Sequence, residues 1–288
     1  MLTIGIVGLG LTGSAIARYL IEQRPDLPIV LAGAGPQSAK AGKDLGAFLG
    51  LDHCGVPILT AEAVPAALYR LSPEVVIDFS RPEATTALLR HYARAGCGVV
   101  VGTTGFSESQ LHQLRLAAGT GRFGLMYAPN ITRGVNVLML LAKLAAHYLP
   151  GYDIEIIERH HRKKRDAPSG TAGKIADQLH DTLESAGQTC FGRYGAGLRA
   201  SGEIGVHAIR AGGIVGMHEV LFANDFDEVV ITHRSESRLA FASGAVEAAV
   251  WMAGRRGFYT MEEMIQSSEV EDFIPAEASL PAPTGTYA

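Results

Sequence analysis

The sequence predicts an α/β fold in which a doubly wound parallel sheet is followed by a second, α+β domain with a mixed or antiparallel sheet. Short apolar strands alternate regularly with helices as far as residue 129, which predicts the parallel sheet. A glycine-rich turn joins the first strand to the first helix, and the next strand completes a β-α-β unit. After residue 203, three strand-like segments joined by short turns predict the second sheet.

The elements of the first part follow from apolar periodicity. Residues 14–23, for example, place apolar side chains at a helical spacing directly after the glycine-rich turn. Strands are predicted at residues 2–7, 27–32, 75–79, 98–101 and 123–127, and helices at residues 14–23, 82–95 and 107–118.

The pattern changes after Asn130, where longer helices and consecutive strands replace the alternation. Helices are predicted at residues 135–148, 169–186 and 238–253, strands at 154–159, 204–210, 215–223 and 228–233, and a loop at 188–200. The last helix is expected to return to the first sheet. The predicted organisation is a dinucleotide-binding domain (1–129 and 237–272), a substrate and oligomerisation domain (130–236) and a loosely ordered tail (273–288).

Composition excludes several classes of protein. The chain is 47% hydrophobic and 19% charged, as in a globular α/β protein, and its net charge of −4 predicts no nucleic-acid partner. The three cysteines are scattered, which predicts a reducing cytoplasm and no metal site. No apolar run is long enough for a membrane span, and no basic leader precedes the first strand.

The turn Gly8-Leu-Gly-Leu-Thr-Gly13 has the spacing of a Rossmann-like dinucleotide site. Its glycines allow a tight turn, close approach of a pyrophosphate and close packing of helix on strand. An ordinary glycine-rich turn is the alternative, and the position between strand and helix favours the dinucleotide. The predicted cofactor contacts here are Gly8, Leu9, Gly10, Leu11, Thr12 and Gly13.

The choice between NADH and NADPH leans towards NADPH. The second strand ends in Ala32-Gly-Ala-Gly-Pro36, without the acidic residue that usually binds the ribose hydroxyls, and the next acid is Asp44. Lys40 or Lys43 can then approach a 2′-phosphate. The alternative is that both lysines are solvated surface residues.

Three further segments follow strands, at the edge where an open α/β sheet binds its ligand. Each alone is also compatible with plain loop chemistry. The predicted cofactor contacts in them are Phe79, Arg81, Gly102, Thr103, Thr104, Ala128, Pro129, Asn130 and Ile131.

The segment from Glu158 to Ala172 holds two adjacent histidines and five cations, followed by Pro168-Ser-Gly-Thr171. The second half predicts a helix start capped by Ser169, with free N–H groups at Gly170 and Thr171. Cations beside a helix N-terminus favour a small multiply charged anion, and histidine and lysine there can move protons. The alternatives are structural histidines on a solvated basic face or, less favoured, a metal site. Strand alternation predicts that the two histidine rings point in opposite directions.

This segment resembles the signature of the 4-hydroxy-tetrahydrodipicolinate reductase (dihydrodipicolinate reductase) family. The resemblance extends over most of the chain. Further matching segments, in the family's order and spacing, are Val76-Ile-Asp-Phe-Ser-Arg-Pro82, Val101-Gly-Thr-Thr-Gly-Phe106, Gly134-Val-Asn136 and Phe241-Ala-Ser-Gly-Ala245.

The resemblance implies an enzyme that reduces a cyclic dicarboxylate imine with NADPH or NADH in the diaminopimelate route to lysine. It implies that His160 and Lys164 handle protons and that the substrate is bound by His161 and, at the helix start, by Ser169, Gly170 and Thr171. It also implies a homotetramer formed through the second sheet.

This chain departs from the family pattern in cofactor-binding positions. Its glycine turn is one residue shorter, with only Leu11 and Thr12 before the last glycine, and the acid after the second strand is absent. Two other functions therefore stay open beside the reductase: an oxidoreductase acting on another amino-acid-derived imine, and a nucleotide-binding protein without turnover.

Overall fold

The computed structural model describes residues 1–183 and 187–267, so the predicted tail and residues 184–186 of the predicted helix lie outside the described residues. The helices and strands form two sheets with helices packed on them. In chain order they are β1 (Ile4–Val7), α1 (Leu11–Gln23), β2 (Ile29–Gly33), α2 (Leu45–Phe48), β3 (Ile58–Leu59), α3 (Val64–Leu71), β4 (Val75–Asp78), α4 (Pro82–Ala95), β5 (Gly98–Val101), α5 (Glu108–Gly119), β6 (Gly124–Tyr127), α6 (Arg133–Tyr148), β7 (Asp153–His160), α7 (Gly170–Thr182), β8 (Thr189–Phe191), β9 (Ile204–Arg210), β10 (Gly216–Ala223), β11 (Glu228–Ser235), α8 (Leu239–Met252), β12 (Gly257–Thr260) and α9 (Met261–Gln266).

The first sheet has seven parallel strands in the order β12-β6-β5-β4-β1-β2-β3. Its central strands are buried on both faces, which explains why they are short apolar runs without alternation. Helices α1 and α8 cover one face, and α3, α4 and α5 cover the other. The doubly wound sheet predicted from the sequence is confirmed.

The second sheet has five strands in the order β11-β10-β7-β9-β8 and is mixed. Strand β10 is antiparallel to β7 and β11, whereas β7, β9 and β8 run parallel to one another. Alternate residues of β7, such as Ile154 and Ile156, are buried against α6 and α7. The opposite face of this sheet is more exposed to solvent.

Several local expectations need correction. The predicted loop at 188–200 contains the short strand β8, whose three residues pair with β9 and carry too little periodicity to stand out among glycine and arginine. The short elements α2, β3 and α3, and the late elements β12 and α9, were not predicted. Helix α8 returns to the parallel sheet, as expected. The assignment of chain segments to two domains stays a prediction.

Within residues 1–183 and 187–267, no helix combines the length and the apolar character that a bilayer crossing requires.

At Gly244, helix α8 comes close to the segment that leaves the parallel sheet after β6. A Cβ built on Gly244 would overlap the carbonyl oxygen of Ile131, a backbone atom that cannot move aside alone. Side chains flanking this contact belong to the same core: Ala242, Ala245 and Ile131 are almost fully buried. The absence of a side chain at Gly244 therefore sets how closely α8 packs beside the connection to the second sheet.

We expect Gly244→Ala to lower the free energy of unfolding by about 1–3 kcal/mol, because the added methyl group overpacks a backbone contact. The matched control is Gly119→Ala in α5, where a Cβ meets no atom within 4 Å. There alanine should leave stability unchanged or raise it by up to about 1 kcal/mol. Urea denaturation of both variants measures the difference, and equal stabilities would contradict the packing argument.

Candidate active site

A cleft of about 930 Å³ lies where the two sheets meet. The first part of the chain contributes Thr12 from the start of α1, and Thr104 and Pro129 from the segments that follow β5 and β6. The second sheet contributes the basic histidine segment. A smaller cavity of about 390 Å³ shares Thr12, Thr104, Pro129 and Phe241 with it. The two cavities therefore adjoin along the edge where an open parallel sheet binds nucleotides.

The glycine turn is shaped by backbone contacts. Gly8 has φ +93°, and a Cβ there would overlap the backbone of Phe79; a Cβ on Gly13 would overlap the carbonyl oxygen of Gly8. Gly10, by contrast, faces open space and caps α1 without a side-chain hydrogen bond. The first N–H groups of α1 therefore stay free for an anion. The backbone of the shortened turn can therefore be approached closely by an anion.

The predicted contacts in this turn divide into two groups. Thr12 lines both cavities, whereas Leu9 is 3% exposed in the core beneath the turn and the Leu11 side chain is 78% exposed. The side chains of this turn thus offer the cavities little beyond Thr12. Any contact from Gly8, Gly10 and Gly13 is made through the backbone.

The predicted contacts at the other strand ends lie together. Residues Phe79, Arg81, Gly102, Thr103, Thr104, Ala128, Pro129 and Ile131 line the smaller cavity. The absence of a side chain at Gly102 is required, because a Cβ there would overlap the ring of Phe79.

Asp78, at the end of β4, holds the loop that carries Phe79 and Arg81. Its buried carboxylate accepts hydrogen bonds from the Ser80 N–H (2.9 Å), the Ser80 hydroxyl (2.6 Å) and the Tyr92 hydroxyl (2.9 Å). Burial raises the pKa of Asp78, and these hydrogen bonds only partly offset that effect. Asp78 is therefore a structural support of the smaller cavity.

Glu158 is the most connected polar group beside the cleft, and its side chain is 0% exposed. Its Oε1 accepts from the Ser169 N–H (2.9 Å) and from Arg210 Nη2 (2.6 Å). Its Oε2 lies 2.6 Å from His160 Nδ1 and accepts from Arg210 Nη1 at 2.7 Å. Burial alone raises the pKa of Glu158, but the hydrogen bonds from Arg210, His160 and Ser169 outweigh it, so the pKa lies below its usual value.

His160 lines the cleft and is mostly buried, with 12% of its side chain exposed. Burial lowers its pKa, the Glu158 carboxylate partly offsets this, and the Lys164 and Arg210 cations lower it further. Near neutral pH the ring is therefore neutral, with Nδ1–H donated to the ionised Glu158.

Lys164 and His161 reach the same cleft. The Lys164 ammonium lies 2.8 Å from the Asp166 carboxylate. The backbone N–H of Lys164 donates to the His161 carbonyl at 3.0 Å. Both histidines line the one cleft, and β7 ends at His160, so His161 lies just beyond the strand. The relative direction of the two rings stays a prediction. The buried Nδ1 of His161 has no hydrogen-bond partner among the described residues.

Helix α7 begins at the cleft as predicted, with Ser169 as its cap. The Ser169 hydroxyl accepts from the Ala172 N–H (3.2 Å) and lies 3.1 Å from His218 Nε2. Gly170 and Thr171 both line the cleft, and nothing crowds Gly170 within 4 Å. The helix start therefore presents backbone N–H groups to an anion there.

One side-chain hydrogen bond joins the two predicted sites. Asn130, predicted as a cofactor contact, lies in the larger cleft and donates from Nδ2 to Thr171 Oγ1 at 2.8 Å. Asn136, on α6, in turn donates to the carbonyls of Asn130 (3.0 Å) and Thr132 (2.9 Å). This chain of amides fixes the start of α7 relative to the end of β6.

Sequence reasoning missed the residues that later strands bring to the cleft. His218 on β10 is 5% exposed. Its pKa is lowered to about 4, mainly by burial and to a smaller extent by the neighbouring His160, so the ring is neutral. Its ring centroid lies 5.3 Å from that of His160. His233, Arg238 and Phe241 also line the cleft. A polar residue at an inward position of an apolar strand, as at His218, was the signal available in the sequence.

Among the described residues, no group of three or more His, Cys, Asp or Glu side chains is arranged to hold a metal ion.

Comparison with known proteins agrees with this geometry. Residues 2–131 match the family model for the dihydrodipicolinate reductase N-terminus, and residues 134–265 match that for its C-terminus. A 4-hydroxy-tetrahydrodipicolinate reductase of Laribacter hongkongensis is 44% identical over 260 residues, covering 88% of this chain and 95% of that protein. One from Methanocaldococcus jannaschii is 36% identical, covering 94% and 100%.

The same family appears among solved structures. A dipicolinate-bound dihydrodipicolinate reductase from Paenisporosarcina sp. TG-14 superimposes with a TM-score of 0.73 at 26% identity, covering 92% of this chain and 99% of that one. With both family models matched across nearly the whole described chain, this protein belongs to the dihydrodipicolinate reductase family.

Proposed function

We propose that this protein reduces 4-hydroxy-tetrahydrodipicolinate to tetrahydrodipicolinate with NADPH or NADH, in the diaminopimelate route to lysine. One observation carries the proposal: the nucleotide-binding edge of the parallel sheet opens into the same cleft as His160, Lys164 and the free start of α7. A nicotinamide bound at that edge and a dicarboxylate bound at the start of α7 would therefore share one cleft with the proton-handling candidates.

The charges of the cleft suit a dicarboxylate. Backbone N–H groups at Gly170 and Thr171 favour one carboxylate through the helix start, and His161 can donate to a bound oxygen. The Lys164 ammonium, which pairs with Asp166 here, adds positive charge at the same end. Substrate binding there is electrostatic and directional.

A nicotinamide bound at the carboxyl edge of the parallel sheet would supply the hydride. The 4-hydroxyl group leaves with a neighbouring hydrogen as water, the hydride adds at the carbon that the hydroxyl group leaves, and the adjacent atom takes up a proton. The Lys164 ammonium can donate that proton. His160 is neutral, with its Nδ1–H committed to Glu158, so it receives a proton at Nε2 before passing it on. The two residues therefore hold protons at different stages.

We expect His160→Gln and Lys164→Ala each to lower kcat by about 100-fold or more, because each removes a proton-handling group. The dissociation constant for the nucleotide should stay within about threefold, since neither side chain lines the smaller cavity. Substrate freshly generated by the preceding synthase, with nicotinamide absorbance followed in time, measures kcat; calorimetry measures nucleotide binding.

The matched control is Lys163→Ala, because Lys163 belongs to the same basic run but is exposed and does not line the cleft. It should keep normal turnover. Full turnover in either test variant contradicts the role of that residue. Turnover of a different imine alone selects the related oxidoreductase, and nucleotide binding without any turnover selects the non-catalytic alternative.

The preferred cofactor is proposed to be NADPH. The Lys40 ammonium donates to the Leu9 carbonyl at the glycine turn and lies 5.1 Å from the Phe48 ring centroid. No acidic residue stands between Gly33 and Asp44 to repel a phosphate. A cation held beside the turn supports binding of a 2′-phosphate.

Lys40→Ala should raise KM for NADPH about tenfold and leave KM for NADH within about twofold, because only NADPH carries the phosphate that the ammonium pairs with. Steady-state kinetics with each cofactor at saturating substrate measure both values. Lys43→Ala is the comparison within the same loop. An equal rise for both cofactors would show that Lys40 supports the turn and does not select the phosphate.

We further propose a cytoplasmic homotetramer that binds no nucleic acid. Exposed apolar side chains on the second sheet and its adjoining loops support assembly there: Val230 is 47% exposed, Phe226 93% and Leu198 98%. Sedimentation equilibrium tests the tetramer, and a monomer at assay concentration would contradict it.

A further inference from the structure

We infer that Glu158 and Arg210 form a positioning pair that sets the tautomer of His160 and holds the segment leading into α7. The inference rests on the proposed function for its kinetic consequences, but its structural part concerns the protein without substrate. Neither residue is proposed to touch the substrate.

Strand geometry brings the three side chains together. Glu158 and His160 are two residues apart on β7, so both lie on the face that packs against the helices. Arg210, the last residue of β9, is the register partner of His160. Both guanidinium Nη atoms then meet both carboxylate oxygens, at 2.6 and 2.7 Å. This two-point pairing orients the carboxylate as well as neutralising it.

An oriented carboxylate decides which ring nitrogen of His160 carries the proton. Glu158 Oε2 lies 2.6 Å from His160 Nδ1, and an ionised carboxylate only accepts hydrogen bonds, so the proton sits on Nδ1. Nε2 then keeps its lone pair and serves as the exchanging nitrogen. Gly216 leaves room beside it, since a Cβ there would lie 3.2 Å from Nε2.

Charged or titratable groups face His160 from each element packed around it. Glu158 faces it from β7, Arg210 from β9, His218 from β10 and Lys164 from the following loop. Of these only Glu158 favours the protonated ring. Removing that carboxylate therefore lowers the pKa of His160 further, which moves its titration to lower pH.

The same pair holds the chain between Lys164 and α7. Glu158 Oε1 accepts the Ser169 N–H at 2.9 Å, and the Arg210 guanidinium donates to the Asp166 carbonyl. Backbone hydrogen bonds from Ala211 to the His160 carbonyl (2.9 Å) and from Arg162 to the Gly212 carbonyl (3.2 Å) align the same loops. The proton-handling groups and the anion-binding helix start are thus placed by one charge pair.

Strand β7 carries a matched control on its other face. Glu155 also contacts a histidine and an arginine: Oε2 lies 2.7 Å from His207 Nε2, and Oε1 pairs with Arg199. None of these residues lines the cleft. Glu155→Gln therefore removes the same kind of carboxylate from the same strand without touching the site.

The first test is nitrogen NMR of the native protein labelled at histidine, with the His160 signals assigned through His160→Gln. At neutral pH we expect a neutral ring protonated at Nδ1. In Glu158→Gln the amide should donate to Nδ1 and shift the proton to Nε2, whereas Glu155→Gln should leave the spectrum of His160 unchanged. A native ring protonated at Nε2 overturns the inference, even if Glu158→Gln does not fold.

The second test is kinetic. Glu158→Gln should lower kcat by about 100-fold or more, because the carboxylate that acts through His160 is lost. KM should change by less than about threefold, because the glutamine side-chain oxygen can still accept the Ser169 N–H at the start of α7. The acidic limb of its kcat–pH profile should move to lower pH, and Glu155→Gln should keep the native profile. If kcat falls while the acidic limb of the kcat–pH profile and the His160 tautomer both stay as in the native protein, Glu158 has a purely structural role and the inference is overturned. If the native chain lacks reductase activity altogether, the proposed function fails while the NMR result still stands or falls alone.

Discussion

The active-site half of this protein depends on burying one negative charge. A carboxylate without solvent is costly unless it is paired and hydrogen-bonded, and Glu158 meets four donors on its two oxygens. Those donors come from β7, β9 and the start of α7, so the carboxylate is satisfied only when the strands are in register and the helix begins at Gly170.

A second constraint joins this half to the parallel sheet. The sheet ends its central strands at a common edge, and the chain passes from β6 into α6 through Asn130. Asn136 donates a hydrogen bond to the Asn130 carbonyl, and the Asn130 side chain donates one to Thr171. These two bonds fix the start of α7 relative to the end of β6. Close packing at Gly244 and Gly134, against Ile131 and His233, leaves little freedom in the same connection. The carboxyl edge of the parallel sheet and the start of α7 are therefore held at a defined distance from each other.

Local patterns in the sequence predicted what is local in the structure. Apolar runs bounded by turns predicted the central strands, because a strand covered on both faces is apolar throughout. The N-cap of α7 and the basic segment that contains His160 could be predicted because their residues are neighbours in sequence. Elements with little periodicity of their own, such as the two-residue β3, were missed. Arg210 and His218 were also missed, because strand register, a non-local property, brings them beside Glu158.

The shortened glycine turn illustrates how a departure from a family pattern can leave its chemistry intact. In a turn of this kind the anion is bound by free N–H groups of the following helix, and side chains contribute little. Here Gly10 caps α1 without a side-chain hydrogen bond, and no atom crowds it. Gly8 and Gly13 still allow the close backbone contacts that hold the turn on the sheet. Beside the turn, the Lys40 ammonium donates to the Leu9 carbonyl. The departure therefore lies at the glycine turn, whereas the residues that line the cleft at the other strand ends, such as Thr104 and Pro129, lie outside it.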